Sequence, residues 1–265
     1  MSIIAEESIK RLVNLCALSL VKLTHPFFKA KSGDKPYFLA KEENSHNSEN
    51  IEDLHRQIAD LGLVNNQRVL DIGAGDGRWT IPLALESKYM YAVEPDNERR
   101  KLLVKRIEEA KDKKICSIEV QDGVAEKLSF MDNYFDLVFC CHVFPYLNQE
   151  PALREMTRVL KPGGKICVTS NGLGYFLMQI KLGIRFGLTD KALYGLNSIC
   201  STLTSRLLKR NFPGQKYSSI PRLVRILKRH GCQVVLAKPW LRHPFFPLKQ
   251  FGAVTNFLVI GVKEK

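Results

Sequence analysis

Strand-like and helix-like segments alternate along most of this chain, and this alternation constrains the fold more than any other feature. Short apolar segments that end at glycine or polar residues have the pattern of strands, and segments with charged faces separate them. The predicted strands are 68–73, 89–95, 116–123, 134–143, 165–170, 232–240 and 255–263, and the predicted helices are 51–61, 79–87, 97–111, 150–160 and 220–231. Strands that alternate with helices predict an α/β fold, in which helices cover both faces of a parallel sheet.

Two regions fall outside this alternation. The apolar and basic residues before position 31 have the pattern of an amphipathic helix, and a polar, turn-rich segment follows them. After Asn171 the pattern is largely helical as far as residue 215, which indicates an insertion rather than another sheet unit. We therefore expect an N-terminal helical cap with its loop, a core, a helical basic lid and the C-terminal part of the core, at 1–50, 51–171, 172–219 and 220–265 respectively.

A glycine-rich turn joins the first predicted strand of the core to the helix after it. The segment VLDIGAGDG places Gly73, Gly75 and Gly77 in this turn. Glycine lets the backbone approach a ligand closely, and the N-terminus of the following helix supplies free N–H groups. A dinucleotide fingerprint would need Gly or Ala at position 78, where this chain has Arg78. The turn therefore indicates a nucleotide-type ligand other than a dinucleotide.

Acidic side chains stand at the ends of three successive predicted strands. Asp71 lies at the end of the first, Glu94 at the end of the second, and Asp122 at the end of the third. Ligands of open α/β sheets bind at the carboxyl ends of strands, where such side chains meet. We expect Glu94 to grip a ribose diol and Asp122 to accept from an adenine amino group. Asp71 would either orient the glycine turn or meet an ammonium group of the ligand.

Five segments stand in the order and at the spacing of one family's motifs. They are VLDIGAGDG (69–77), AVEPD (92–96), QDGVAEKLSF (121–130), YFDLVFCCHVFPYL (134–147) and LREMTRVLKPGGKICVTS (153–170). With these motifs the chain resembles the class I S-adenosylmethionine-dependent methyltransferases, especially the methyltransferase type 11-like group that acts on small molecules and lipids. The resemblance covers about residues 51–171 and resumes at 220–263.

The resemblance implies a Rossmann-like seven-stranded sheet whose last strand is antiparallel, with S-adenosylmethionine as cofactor. It implies that the three glycines of the turn lie near the methionine part and that Glu94 binds the ribose. Asp122, Gly123 and Val124 would lie near the adenine. The predicted cofactor site also includes four further motif residues, Ala74, Pro95, Asp96 and Cys140.

Two residues at and just beyond the end of the fourth predicted strand are candidates for the catalytic step. Methyl transfer requires alignment of the nucleophile and, for a hydroxyl acceptor, a base. His142 is the candidate base, because imidazole titrates near neutral pH; a packing role is the alternative. Tyr146 is the candidate for positioning the substrate, with a core aromatic as the alternative. The signatures of base-amino and cytosine C5 methylation are missing, and scattered histidines argue against a structural metal.

The basic charge lies almost entirely in one third of the chain. The net charge is +13, and residues 172–250 hold fourteen Lys and Arg side chains and one acid, Asp190. Three interpretations stand: a solvated helical face, an acidic or lipid-linked acceptor approached at a membrane surface, and RNA. RNA is less favoured because the aromatics cluster with apolar residues. A cofactor-binding protein without catalysis remains a separate alternative.

The cysteines and the hydropathy bear on where the protein is found. Seven cysteines without a C-x-x-C pair are typical of buried thiols in a reducing compartment. No apolar segment has the length needed to span a bilayer. These two features predict a cytoplasmic protein. From the motifs, we expect it to O-methylate a small-molecule, glycan-intermediate or lipid-like acceptor, and peripheral membrane contact is a candidate partner interaction.

Overall fold

A computed structural model of the chain describes residues 50–110, 112, 114–208, 215–240 and 247–264. The strands are β1 (Asn66–Ile72), β2 (Ser87–Val93), β3 (Ile118–Gln121), β4 (Phe135–Cys140), β5 (Leu160–Asn171), β6 (Cys232–Pro239), β7 (Lys249–Gln250), β8 (Ala253–Val254) and β9 (Asn256–Lys263). The helices are α1 (Ile51–Asp60), α2 (Thr80–Ala84), α3 (Asn97–Glu109), α4 (Gln149–Val159), α5 (Leu173–Phe186), α6 (Thr189–Leu208) and α7 (Ile220–Arg229). A 3-10 turn, Phe144–Tyr146, follows β4. The predicted N-terminal helical cap lies outside the described residues, apart from its last residue.

Seven strands form one mixed sheet in the order β3-β2-β1-β4-β5-β9-β6. Strands β1 and β2 are parallel, as are β1 and β4, β2 and β3, and β4 and β5. The last strand, β9, is antiparallel and lies between β5 and β6. The predicted Rossmann-like α/β fold is therefore confirmed, including the antiparallel last strand.

The central strands are buried because helices cover the sheet. In β4, Phe135, Leu137, Val138 and Phe139 are each at most 1% exposed, as expected for a continuous apolar run. Helix α7 buries Leu223, and its Arg229 pairs with Glu150 of α4. The apolar segments predicted as buried strands thus form the core.

Two local features differ from the predicted elements. The predicted strand 165–170 begins earlier than expected, because β5 starts at Leu160 and includes the KPGG segment. Its pairing with β4 shifts from Phe135–Leu160 to Leu137–Lys165, so the segment bulges out of one continuous strand. The second difference is the hairpin of β7 and β8, which lies between the predicted strands 232–240 and 255–263, where no strand was predicted.

The described residues divide into two compact units. The core unit contains residues 50–170, 220–238 and 258–264, and the helical unit contains 171–208, 215–219, 239–240 and 247–257. In the helical unit, α5 and α6 pack so closely that a Cβ at Gly195 would lie 2.5 Å from the Phe176 carbonyl oxygen. Small residues at this interface therefore set the separation of the two helices. No helix among the described residues has the length and apolar content to cross a membrane.

Candidate functional site

The carboxyl ends of four parallel strands meet at one edge of the sheet in the core unit. Strand β1 pairs with both β2 and β4, and β2 pairs with β3, all in parallel register. The residues that follow these strands are therefore neighbours, although up to seventy positions separate them in the chain. This edge is where an open α/β sheet binds its ligand.

The glycine turn after β1 is held against the end of β2. The amides of Gly73 and Ala74 both donate to the Val93 carbonyl oxygen, at 2.8 and 3.2 Å. Gly73, Gly75 and Gly77 have φ angles of 68°, 58° and 87°, in the left-handed region that side chains rarely adopt. The sharp turn of the backbone therefore depends on glycine.

The three glycines differ in what surrounds them. A Cβ at Gly73 would lie 2.4 Å from the Val143 side chain, and one at Gly77 would lie 2.4 Å from the Leu103 side chain. At Gly75 the nearest atom would be an Arg99 nitrogen, at 3.8 Å. The first and third glycines are thus closely packed, whereas the second faces space that a ligand can use.

Glu94 links the glycine turn to the start of α3. Its side chain is buried, and its two carboxylate oxygens accept hydrogen bonds from the amides of Gly75 at 2.8 Å and Asp96 at 3.1 Å. Asp96 in turn caps α3 by accepting from the Arg99 amide at 2.9 Å. Pro95 lies between the two acids. A carboxylate has about four lone-pair sites, so Glu94 keeps acceptor capacity for ligand hydroxyls.

Asp71 is buried at the end of β1 and accepts a 2.7 Å hydrogen bond from the Thr80 hydroxyl. Burial raises the pKa of Asp71 to about 7, the Thr80 bond partly opposes that rise, and the charge of Glu94 adds to it. The bond connects β1 to the first residue of α2, across the glycine turn. Of the two roles predicted for Asp71, orientation of the turn is the one that this contact supports.

Asp122 follows β3 and pairs with Arg100 of α3, at 2.9 Å. The same guanidinium nitrogen donates to the Glu94 carbonyl oxygen at 2.7 Å. Next to Asp122, a Cβ at Gly123 would lie 3.2 Å from the Val93 side chain, and Val124 is 47% exposed. The end of β3 thus presents an exposed carboxylate and an apolar side chain beside the end of β2.

His142 lies in the loop directly after β4. Its φ is 60°, and its amide donates to the Thr169 hydroxyl at 2.9 Å. The next residue, Val143, covers Gly73, so this loop lies against the glycine turn. Tyr146 is 63% exposed and is therefore not a core aromatic. The structure places both candidates after β4 without assigning either a reaction role.

Cys140 is buried at the end of β4. Burial raises the pKa of its thiol well above the ordinary value, and the nearby Cys141 and Asp71 add to the rise. The thiol is therefore neutral and has no nucleophilic character. Its predicted contact with a cofactor remains a prediction.

These residues fit the parts of S-adenosylmethionine. The space beside the Cα atom of Gly75 lets a ligand approach the backbone closely, and the Glu94 carboxylate has lone pairs left to accept from a diol. Asp122 offers an acceptor for the adenine amino group, and Val124 offers an apolar surface for the adenine ring. Among residues 50–110, 114–208, 215–240 and 247–264, no group of three or more His, Cys, Asp or Glu side chains is arranged to hold a metal.

Three residues of the site were not predicted. Thr80 holds Asp71, Arg100 joins Asp122 to the end of β2, and Thr169 holds the backbone of His142. The role of Arg100 had a signal in the sequence, because Arg100 stands one helical turn after Asp96 and therefore lies near the end of β2. Thr80 and Thr169 show no comparable signal, because their partners are distant in sequence or on another strand.

Part of the core unit is similar in sequence to known methyltransferases. Residues 70–168 match the family model described as "Methyltransferase domain". An uncharacterized methyltransferase of Schizosaccharomyces pombe is 36% identical over 107 residues, which are 38% of each chain. The ubiquinone/menaquinone biosynthesis C-methyltransferase UbiE of Vibrio cholerae is 33% identical over 106 residues, 38% of this chain and 40% of its own.

The fold extends further than the sequence similarity. The crystal structure of the YcgJ protein from Bacillus subtilis superposes with a TM-score of 0.56 and 18% identity, over 82% of this chain and all of that one. The chain spans between 38% and 47% of the length of the curated relatives it matches first. The similarity in sequence is therefore concentrated in the segment that builds the strand-end site.

Proposed function

We propose that this chain, whose residues 70–168 match the family model described as "Methyltransferase domain", is a class I S-adenosylmethionine-dependent methyltransferase. It transfers the methyl group of S-adenosylmethionine to an oxygen atom of a small or lipid-like acceptor. One observation carries this proposal: the glycine turn and Glu94 form a ligand cradle, and the loop with His142 lies against that turn. A donor site and a candidate base thus share one edge of the sheet.

The cofactor, when bound, supplies an electrophilic methyl group on a sulfonium. The residues of this chain that would hold it are Glu94, which would accept from the ribose hydroxyls, Asp122, which would accept from the adenine amino group, and the backbone at Gly75, which would lie beside the methionine part. Because the transfer is an in-line displacement, the alignment of donor and acceptor supplies most of the rate. The packed turn between β1 and α2 fixes one side of that alignment.

His142 is the candidate base for a hydroxyl acceptor. A neutral imidazole can take the hydroxyl proton as the oxygen attacks, near neutral pH. The left-handed backbone conformation at His142 supports a functional role. Such a conformation costs free energy in residues other than glycine, and it is retained mainly at functional sites where surrounding contacts hold it. Here the Thr169 hydroxyl holds the amide of His142.

The acceptor class is inferred from the helical unit and from one relative. Helix α5 has the apolar sequence LGYFLMQIKLGIRF, with cations at its exposed positions. The name of the Vibrio cholerae relative assigns it to quinone biosynthesis, which suits an acceptor with an apolar part. That name also specifies a carbon atom as the methyl acceptor, so the methylated atom is the feature that the experiment must resolve.

The experiment uses S-adenosylmethionine with a labelled methyl group. The purified protein is incubated separately with a lipid and small-molecule extract and with total RNA from the cells that naturally express it. We expect label in the organic extract, and we expect hydriodic acid to release it as methyl iodide, because that reagent cleaves O-methyl ethers but not C-methyl groups. Label that resists release would place the methyl group on carbon or nitrogen and would contradict O-methylation. Label in RNA alone would contradict the acceptor class, and cofactor binding without any transfer would favour a non-catalytic protein.

Two variants of His142 separate its chemistry from its backbone conformation. Asn tolerates a left-handed backbone, so His142→Asn should keep the wild-type stability while lowering kcat by about 10²–10⁴-fold, the usual contribution of a general base. His142→Ala should lose kcat similarly and also lose about 1 kcal/mol of stability. The pH dependence of kcat should lose its limb near neutral pH in both. If His142→Asn keeps the wild-type kcat, His142 is not the general base.

A further inference from the structure

The hairpin of β7 and β8 presents a phenylalanine at its tip. Lys249 pairs with Val254 and Gln250 with Ala253, which leaves Phe251 and Gly252 as a two-residue turn. The Phe251 side chain is 72% exposed, the most exposed aromatic among the large apolar side chains described.

The base of this hairpin is well fixed within the helical unit. The Thr255 amide donates to the Leu248 carbonyl oxygen at 3.0 Å, and α5 contacts both β7 and β8. The contact with α5 is so close that a Cβ at Gly174 would lie 2.2 Å from the Ala253 carbonyl oxygen. The hairpin is therefore packed against α5, and this contact fixes the position of its tip within the helical unit.

Phe251 is unfavourable for the turn in which it lies. Its φ is 49° and that of Gly252 is 76°, so both central residues are in the left-handed region, as in a type I′ turn. Such turns favour Asn-Gly, and a bulky residue in this region is strained. An exposed aromatic ring in a strained position contributes little to folding, which points to a role outside the fold.

One cation lies beside this ring, and two others are exposed on the same helix and hairpin. The Lys181 ammonium of α5 lies 5.8 Å from the ring centroid. Arg185 lies one helical turn further along α5, and Lys249 is in the hairpin itself; all three cations are exposed. Leu248, 43% exposed, precedes Lys249. We call these five residues, Lys181, Arg185, Leu248, Lys249 and Phe251, the Phe251 patch.

The charge of the helical unit adds to the patch. Its described residues contain the cations Lys181, Arg185, Lys191, Arg206, Lys216 and Lys249, against the single acid Asp190. Long basic side chains keep their charges in water while their stems lie along apolar surface, which is the arrangement found at membrane interfaces. The patch is thus complementary to a negatively charged surface with an apolar layer beneath it.

We propose that the Phe251 patch binds the surface of an anionic lipid bilayer. Phe251 and Leu248 enter the boundary between headgroups and acyl chains, and Lys181, Arg185 and Lys249 contact the lipid phosphates. Lipid explains the patch better than single-stranded nucleic acid does. Nucleic-acid platforms offer several aromatic faces along a groove, whereas here one exposed ring stands at the tip of a hairpin and its apolar neighbour, Leu248, is aliphatic.

The test measures co-sedimentation of the full chain with two kinds of vesicle, phosphatidylcholine alone and phosphatidylcholine mixed with phosphatidylserine. We expect the wild type to bind the mixed vesicles in a salt-sensitive way and to bind neutral vesicles weakly. Phe251→Asn should lower the partition coefficient about ten-fold, from the loss of a buried aromatic side chain. The double charge reversal Lys181→Glu with Lys249→Glu should abolish binding to the mixed vesicles.

Stability provides a second readout of the opposite sign. Because Asn is favoured at this turn position, Phe251→Asn should raise Tm by about 2 °C while weakening vesicle binding. A variant that merely damaged the fold would lower both.

Matched controls come from the core unit. Met131 is 70% exposed, so Met131→Asn removes a comparable apolar side chain, and Lys228→Glu changes an exposed cation from the same basic third of the sequence. Both should bind vesicles like the wild type. The proposal is overturned if the wild type does not bind mixed vesicles or if Phe251→Asn binds as the wild type does. It is also overturned if a single-stranded RNA homopolymer binds in a Phe251-dependent way while vesicles do not.

Vesicle binding is measured without turnover, so its outcome is independent of the proposed methyl transfer. If the protein methylates an acceptor but does not bind vesicles, the membrane proposal is wrong and the proposed methyl transfer still stands.

Discussion

The backbone amide of Gly75 donates a 2.8 Å hydrogen bond to the carboxylate of Glu94, nineteen positions later in the chain. This contact joins the turn after β1 to the end of β2. Gly75 is the one glycine of the turn at which an added Cβ would meet no atom closer than 3.8 Å. The carboxylate therefore both shapes the turn and stands at the place where the ribose of the cofactor is expected.

Alanine substitutions should distinguish the packed glycine of the turn from the open one. A Cβ at Gly77 overlaps Leu103, so Gly77→Ala should lower the free energy of unfolding by more than the roughly 1–2 kcal/mol that a left-handed side chain costs. Gly75→Ala should cost only that strain, yet should weaken S-adenosylmethionine binding. Urea denaturation and calorimetric titration measure the two effects. Equal destabilisation by both substitutions would contradict the packing difference.

Asp71 should make the stability of the protein depend on pH. Its pKa is raised from 3.8 to about 7 by burial, so the folded state holds a proton that the unfolded state has released. The stabilisation from this proton is complete below the unfolded pKa and is lost as pH rises through the folded pKa. Relative to Asp71→Asn, the wild type should therefore lose up to about 4 kcal/mol between pH values near 4 and above 7.

The measurement for Asp71 is urea denaturation of both proteins across that pH range. Asn keeps an oxygen that can accept from Thr80, so the substitution imitates the protonated carboxyl group. Parallel curves for the two proteins would show that Asp71 does not titrate in this window.

Arg100 should act as a positioning residue for the adenine end. Its guanidinium orients the exposed Asp122 carboxylate and holds the carbonyl oxygen of Glu94. Arg100→Met should raise the Kd for S-adenosylhomocysteine about five-fold and cost about 1 kcal/mol of stability. Lys101→Met is the control, because Lys101 forms only a surface pair with Glu98, which contributes little. The same Kd in both variants would remove the role of Arg100.

The order of elements and the acids at the strand ends could be predicted from sequence, because both follow from local patterns. Apolar runs such as β4 form buried strands, and Asp71, Glu94 and Asp122 end strands that the sheet then brings together. The hairpin of β7 and β8 could not be predicted, because its turn has Phe251 where hairpin turns favour Asn.

Contacts between distant residues account for the other differences. Thr169 is twenty-seven positions from His142, and only the pairing of β4 with β5 places its hydroxyl beside that amide. The strand assignment of the KPGG segment likewise depends on a shift in register against β4, which sequence periodicity does not indicate.

The central claim is that the strand-end site binds S-adenosylmethionine through Glu94, and calorimetric titration of the wild type and of Glu94→Gln tests it most directly. Gln retains one acceptor oxygen but loses the charge and one of the two amide hydrogen bonds that Glu94 accepts, so the grip on the ribose diol should weaken and the turn should lose part of its support. We expect saturable one-to-one binding by the wild type and a Kd at least about ten-fold higher in Glu94→Gln, whose Tm without ligand should be lower by about 2–6 °C because one amide loses its acceptor. No binding by the wild type, or equal Kd values for the two proteins, would contradict the account.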